Sequence, residues 1–323
     1  MRDNGVPSGA GSIRNLSVRI RKRIFLCLIM TGGFFPWTWL FADSTDNKGF
    51  RLGFSSTTFV NVNQNDAMAA IKVWASLFAR NLGIPTDPIP YLLNDVGQIR
   101  EAVRTKRVDT IALSVNEFWA LRDDMDARNF IVGVTDGDIY EAYILLVHPE
   151  SGLKKVADLM GRTISILQNS RMNLAGVWLE TIMAEGGCGM EKKCRITHAP
   201  NIAKAVLPLF FKQIEACLVN ERGFMTMCEL NPQMKRLKIL ASSPKVVPAG
   251  FCFRKGYNSP IRESIMKNIG ELVATPAGKQ IMTLFQTDGL AIQSPSCLES
   301  AFELLERHQK LCGDSGRVND GPP

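Results

Sequence analysis

Hydrogen-bond donors gather at three places in this 323-residue chain, each directly after an apolar run. Ser55-Ser56-Thr57-Thr58 closes the run that begins at Arg51. Ser114 and Asn116 follow Val108 to Leu113, and Asn169-Ser170-Arg171 follows Thr163 to Leu167. A doubly charged oxyanion is held best by hydroxyls, backbone amides and a helix N-terminus, which give directional donors without a full countercharge. Arg171 adds a planar fork that can take an anion bidentately. The same residues also serve plain structural ends. Hydroxyls populate turns, and a serine ahead of a helix caps it while a neighbouring arginine stays in solvent. Both readings stand on the residues alone.

Catalysis finds less support. The three histidines, His148, His198 and His308, are scattered, and there is no His-Glu-x-x-His, no Gly-x-Ser-x-Gly and no glycine-rich nucleotide loop. Binding is therefore the reading carried forward, with no catalytic residue, no cofactor and no metal assigned. Seven cysteines follow Ala42. Cys188 and Cys194 flank a five-residue loop and are predicted to pair in an oxidising compartment. Cys217 and Cys252 lie in apolar runs and read as small core residues. Cys297 and Cys312 bracket a predicted helix, which would hold them roughly 22 Å apart, beyond a disulfide's reach.

The donor clusters need a scaffold, and the apolar patterning describes one. Strands are predicted at Arg51–Ser55, Thr110–Leu113, Tyr143–Val147, Thr163–Leu167, Ala216–Asn220 and Leu237–Ala241. Helices are clearest at Ala67–Phe78, Leu174–Met183, Ile261–Leu272 and Leu298–Leu311. Such alternation predicts an α/β protein with parallel sheets covered by helices. The whole-chain charge of +7 hints at nucleic acid, but residues 1–42 hold six basic groups and one acid. The remainder carries 32 basic against 30 acidic groups, which removes that hint. Arg19 to Arg23, the apolar run Ile24–Leu40 and Phe41-Ala42-Asp43 have the layout of a secretory signal peptide, with cleavage after Ala42. A retained N-terminal membrane anchor is the alternative, and either one places the folded part outside the cytoplasm. The polar tail 313–323 is expected to be disordered.

A set of phrases in fixed order adds a resemblance. Phe210-Phe211, Glu215 with the strand Ala216–Asn220, and Glu229-Leu230-Asn231-Pro232-Gln233 resemble the phosphate/phosphite/phosphonate-binding proteins of ABC importers. So do Val108-Asp109 opening a strand, Asp158-Leu159-Met160-Gly161-Arg162, and Thr275-Pro276-Ala277-Gly278-Lys279-Gln280. The resemblance implies the two-lobed type II periplasmic-binding-protein fold, each lobe a mostly parallel sheet flanked by helices, with a ligand cleft between lobes. Lobe one would comprise 43–142 and 247–312, and lobe two 143–246. It further implies a phosphorus oxyanion (phosphate, phosphite or alkylphosphonate) captured in the periplasm by hinge closure and passed to an ABC permease, by a monomer without nucleic-acid partners. The alternatives are a ligand-sensing module for a membrane signalling protein, or an enzyme on the same scaffold. By resemblance, Asn169, Ser170 and Arg171 grip the anion from lobe two and Thr57, Thr58, Ser114 and Asn116 from lobe one. Asn201 adds a further donor, and Tyr140 and Tyr143 line the crossing. Relatives that take aminophosphonates need carboxylates for the ammonium end. Here Glu141 and Glu221 are the nearest and are read as structural.

Overall fold

The computed structural model describes residues 49–60, 62–85, 90–126, 128–187 and 194–313. The expected signal sequence 1–42, Cys188 of the expected disulfide and the tail beyond 313 lie outside the described residues. In chain order the elements are β1 (Leu52–Ser55), a 3-10 turn (Ser56–Phe59), α1 (Gln64–Leu82), β2 (Tyr91–Leu93), α2 (Val96–Arg104), β3 (Thr110–Ser114), α3 (Val115–Leu121) and β4 (Phe130–Val134). Then come β5 (Tyr143–Val147), β6 (Thr163–Leu167), α4 (Ala175–Glu185), β7 (Arg195–Ala199), α5 (Ile202–Phe210), β8 (Ala216–Asn220), α6 (Glu221–Leu230) and β9 (Lys238–Ser242). The last are β10 (Ala249–Phe253), α7 (Pro260–Ala274), α8 (Pro276–Leu284), β11 (Gly289–Gln293) and α9 (Glu299–Cys312).

These strands form two sheets, ordered β11-β4-β10-β3-β1-β2 and β7-β6-β8-β5-β9. The chain leaves the first sheet after β4, builds the second, and returns after β9. Both sheets are mixed. β10 and β11 run against their neighbours in the first, and β5 runs against β8 and β9 in the second. The central strands β3, β5 and β8 have apolar middles and are buried at all five positions, as a sheet covered on both faces requires. Strands β2, β4, β7 and β11 were not anticipated from the patterning, and β10 only as the apolar run around Cys252. β7 shows why: it lies at a sheet edge, and four of its five residues are exposed, so it carries no apolar alternation.

Local chemistry fixes where strands stop and helices start. Asp109, 2% exposed, takes the Arg51 guanidinium at 3.0 Å and that of Arg254 at 3.2 Å, which ties the starts of β1 and β3 to the end of β10. Ser114 caps α3 in a capping box with Glu117, and Asn201 caps α5 by accepting from Lys204 N–H at 2.9 Å. Cys217 and Cys252 are buried in β8 and β10, and burial pushes both thiols well above their ordinary range.

The last helix has an unusual position. Although it follows β11 of the first sheet, α9 packs along α4 of the second sheet's layer and also touches α3. His308 Nε2 lies 2.8 Å from Glu180 Oε2, and Arg307 pairs with Glu185, both on α4. On the other side Phe302 stacks against Phe118 of α3, with ring planes 6° apart.

Candidate ligand-binding site

The carboxyl ends of β1, β3 and β6 and the start of β10 surround a cavity of about 70 Å³. One water occupies about 10–15 Å³ on this measure, so the space takes a group of roughly five heavy atoms, such as a small tetrahedral anion with a short substituent. Thr57 and Thr58 enter from the 3-10 turn, Ser114 from the end of β3, Pro248 to Phe251 from β10, and Phe285 and Thr287 from the turn between α8 and β11. From the second-sheet side come Ser170, Arg171 and Asn173, which connect β6 to α4. Gly133 of β4 is required where it stands, because a Cβ there would lie 2.9 Å from Thr287 Oγ1.

The first-sheet wall is built around Glu117, a carboxylate 6% exposed at the third position of α3. Ser114 donates to its Oε2 from both the backbone N–H and the hydroxyl, each at 2.9 Å, and Thr57 Oγ1 donates to the same oxygen at 2.9 Å. Ser55 donates to Oε1 through a short contact. The neighbouring hydroxyls are also engaged: Thr58 donates to Ser55 C=O at 2.6 Å, and Thr287 to Val134 C=O at 2.6 Å.

The second-sheet wall is built around a charge pair. Arg171, 9% exposed, pairs with Glu141, 2% exposed. Its guanidinium also donates to Gln286 C=O at 2.8 Å and to the Thr135 hydroxyl, both on the first-sheet side. The backbone of Arg171 is held as well. Its N–H donates to Asn169 Oδ1 at 3.0 Å, and its C=O accepts from Tyr143 Oη at 3.0 Å. Asn173 Nδ2 donates to Pro248 C=O at 2.5 Å, which closes the seam from the other end. Among the described residues three buried side-chain polar atoms lack a hydrogen bond: Arg171 Nε, Asn173 Oδ1 and Glu141 Oε1. The last is in ion-pair contact with Arg171 but receives no aligned hydrogen. Arg171 and Asn173 line the cavity, and orphaned polar atoms on such residues are uncommon in finished interiors and mark places where a ligand's polar atoms can be matched.

Of the residues expected to bind, the structure brings Thr57, Thr58, Ser114, Ser170 and Arg171 to the cavity. Five others lie elsewhere. Asn116 sits in the first turn of α3, and Asn201 is spent on its helix cap. Asn169 turns its side chain back to Arg171 N–H. Tyr143 is fully enclosed behind Arg171, with burial pushing its phenol pKa up and a hydrogen bond with the Leu174 backbone partly offsetting that. Tyr140 is partly buried, and its backbone carbonyl accepts from Arg222 at 3.4 Å. Sequence reasoning overlooked Glu117, Asn173 and Thr287 and set Glu141 aside. The Ser114-x-x-Glu117 spacing is a visible capping-box signal, but nothing in it indicates that two further hydroxyls converge on the same carboxylate. Among the described residues no group of three or more His, Cys, Asp or Glu gathers to hold a metal ion, and no helix is long and apolar enough to cross a membrane.

Solved structures share this architecture. XAC2383 from Xanthomonas citri bound to ATP superposes with a TM-score of 0.59 at 14% identity, over 81% of this chain and 98% of that one. The binding protein component of an ABC phosphonate transporter from Pseudomonas aeruginosa gives 0.52 at 14% identity, over 85% and 91%. PhnD1 from Prochlorococcus marinus in complex with methylphosphonate gives 0.54 at 12% identity, over 81% and 98%. At such identities these likenesses show the type II periplasmic-binding-protein fold. No curated protein matches the chain in sequence. Residues 58–297, well over half of the chain, match the description "ABC transporter, phosphonate, periplasmic substrate-binding protein", and the chain belongs to that family.

Proposed function

We propose that this protein captures a phosphorus oxyanion, namely phosphate, phosphite or a small alkylphosphonate, in the cavity between its two sheets and delivers it to an ABC permease. It does so outside the cytoplasm, as a single chain, by closing one lobe on the other. The observation that carries this reading is Arg171. This residue lines a cavity of oxyanion size and is nine-tenths buried, and its guanidinium keeps Nε–H unpartnered and joins the two sheets through Glu141, Gln286 and Thr135. A guanidinium held in this way offers a directed donor. Ser170 adds a hydroxyl at the same wall.

Thermal unfolding of the purified protein against phosphate, phosphite, sulfate, methylphosphonate and 2-aminoethylphosphonate tests it. A ligand present at 100 times its dissociation constant adds about 2.7 kcal/mol of stability. The expected outcome is an upward shift with the phosphorus oxyanions that shrinks in Ser170→Ala. No shift with any of them, in protein unfolded and refolded to remove carried-over ligand, would sink the proposal.

A further inference from the structure

Thr57 and Ser114 line the cavity, yet the hydroxyl of each owns a single hydrogen. Ser114 gives its hydrogen to Glu117 Oε2 at 2.9 Å. Thr57 gives its own to the same oxygen at 2.9 Å, or to Ser55 Oγ at 3.0 Å, and Ser55 donates to Glu117 Oε1. The hydrogens of Thr58 and Thr287 go to backbone carbonyls. These four hydroxyls have lone pairs but no hydrogen left for the cavity, and the buried Asn173 Oδ1 adds another acceptor without a donor. An ionised carboxylate only accepts, so Glu117 is what draws the hydrogens of Thr57 and Ser114 away. The buried charges that line the cavity or contact its lining residues point the same way. Glu117 and Glu141 against Arg171 leave an excess of one negative charge when all three are ionised. Among the elements packed on Glu117, β1, the 3-10 turn and β3 present the hydroxyls of Ser55, Thr57 and Ser114, and β10 presents the Cys252 thiol, kept protonated by burial.

We infer that Glu117 makes this site take its oxyanion together with one proton, so that the hydrogen-bearing monoanion is bound and the bare dianion is rejected. The inference rests on the oxyanion-capture reading. The proton arrives on the ligand, where its O–H satisfies one of the waiting acceptors, or it moves onto Glu117. A protonated Glu117 donates to one neighbour and releases the hydrogens of Thr57 and Ser114 to the anion. In both cases one proton is gained and the negative charge around the bound anion is reduced by one.

Calorimetric titration of the full chain with methylphosphonate, whose second ionisation lies near neutrality, decides it. The affinity of the unchanged chain is expected to fall by about tenfold per pH unit on the alkaline side of a series from about pH 6 to pH 9. Glu117→Gln, which keeps the shape and removes the charge, is expected to keep its affinity there. A flat or rising affinity in the unchanged chain overturns the inference, and so does a parallel fall in Glu117→Gln, since the selection would then come from another group. Binding by Glu117→Gln alone, across the alkaline range, supports it in its strongest form. If that variant fails to fold, repeating the alkaline titration in buffers of different ionisation enthalpy counts protons on the unchanged chain. About one proton taken up per anion supports the inference and none overturns it. Absence of binding to either chain at every pH removes the capture reading itself, and this inference with it.

Discussion

On the first-sheet side of the cavity, Glu117 is met by the hydroxyls of Ser55, Thr57 and Ser114 and by one backbone N–H. On the second-sheet side, Glu141 is met by the guanidinium of Arg171. Both carboxylates are almost wholly enclosed, so each must have its lost hydration replaced. Hydroxyls replace it with dipoles that can turn, and each can redirect its hydrogen when the charge on Glu117 changes. A guanidinium replaces it with a fixed opposite charge that cannot be withdrawn without leaving a bare ion. The first wall is therefore suited to respond to a ligand's protonation, and the second to hold position and join the sheets.

Three changes would break or sharpen this contrast. The largest effect is expected from Arg171→Met, which strands Glu141 as a buried unpaired charge and should cost about 3–5 kcal/mol in denaturant unfolding. Adding Glu141→Leu should restore most of that loss, because removing both ions is far cheaper than removing one. No recovery in the double variant would mean that the Gln286 and Thr135 contacts, and not the ion pair, carry the wall. Glu117→Gln should cost less, about 1–2 kcal/mol, since its partners are neutral and the amide oxygen still accepts. A loss as large as that of Arg171→Met would erase the distinction between the walls. The smallest effect is expected from Tyr143→Phe, which deletes the hydrogen bond to Arg171 C=O and should cost about 0.5–1.5 kcal/mol at neutral pH. Its pH dependence sharpens the point. Burial raises the folded-state pKa of Tyr143, so the stability it contributes is complete below the unfolded tyrosine value of about 10 and declines as pH rises beyond it. An alkaline unfolding series should therefore fall less steeply in Tyr143→Phe than in the unchanged chain.

Much of the scaffold was legible in the sequence, and the reason is burial. Tyr143–Val147, Thr163–Leu167 and Ala216–Asn220 read as apolar strands and are strands over the same residues. Lys238–Ser242 and Glu299–Cys312 lie within one residue of the expected bounds. The edge strand β7 was not legible, because exposure on both faces removes the alternation that would betray it. In the candidate site, the hydroxyl clusters after β1 and β3 and the Ser170-Arg171 turn after β6 were visible as donors following strands. What local pattern could not convey was direction and partnership. Asn169 points back at its own turn, and Tyr143 points away from the cavity to support Arg171 from behind. Glu117 and Thr57 are sixty residues apart along the chain, so their meeting depends on β1 and β3 lying side by side. The pairing of Glu141 with Arg171 likewise depends on how the crossing after β4 runs past the β6–α4 connection.

Helix α9 has a mechanical consequence. It grips α4 through His308–Glu180 and Arg307–Glu185, which are directional contacts, but meets α3 through flat rings at Phe302 and Phe118, which can slide without losing a directed bond. Under the proposed capture by lobe closure, in which the sheets part to admit a ligand, α9 is expected to ride with α4 and shear over α3. The end of the chain would then serve as a bearing, with its greasy face on Phe118 and its anchored face on the moving half.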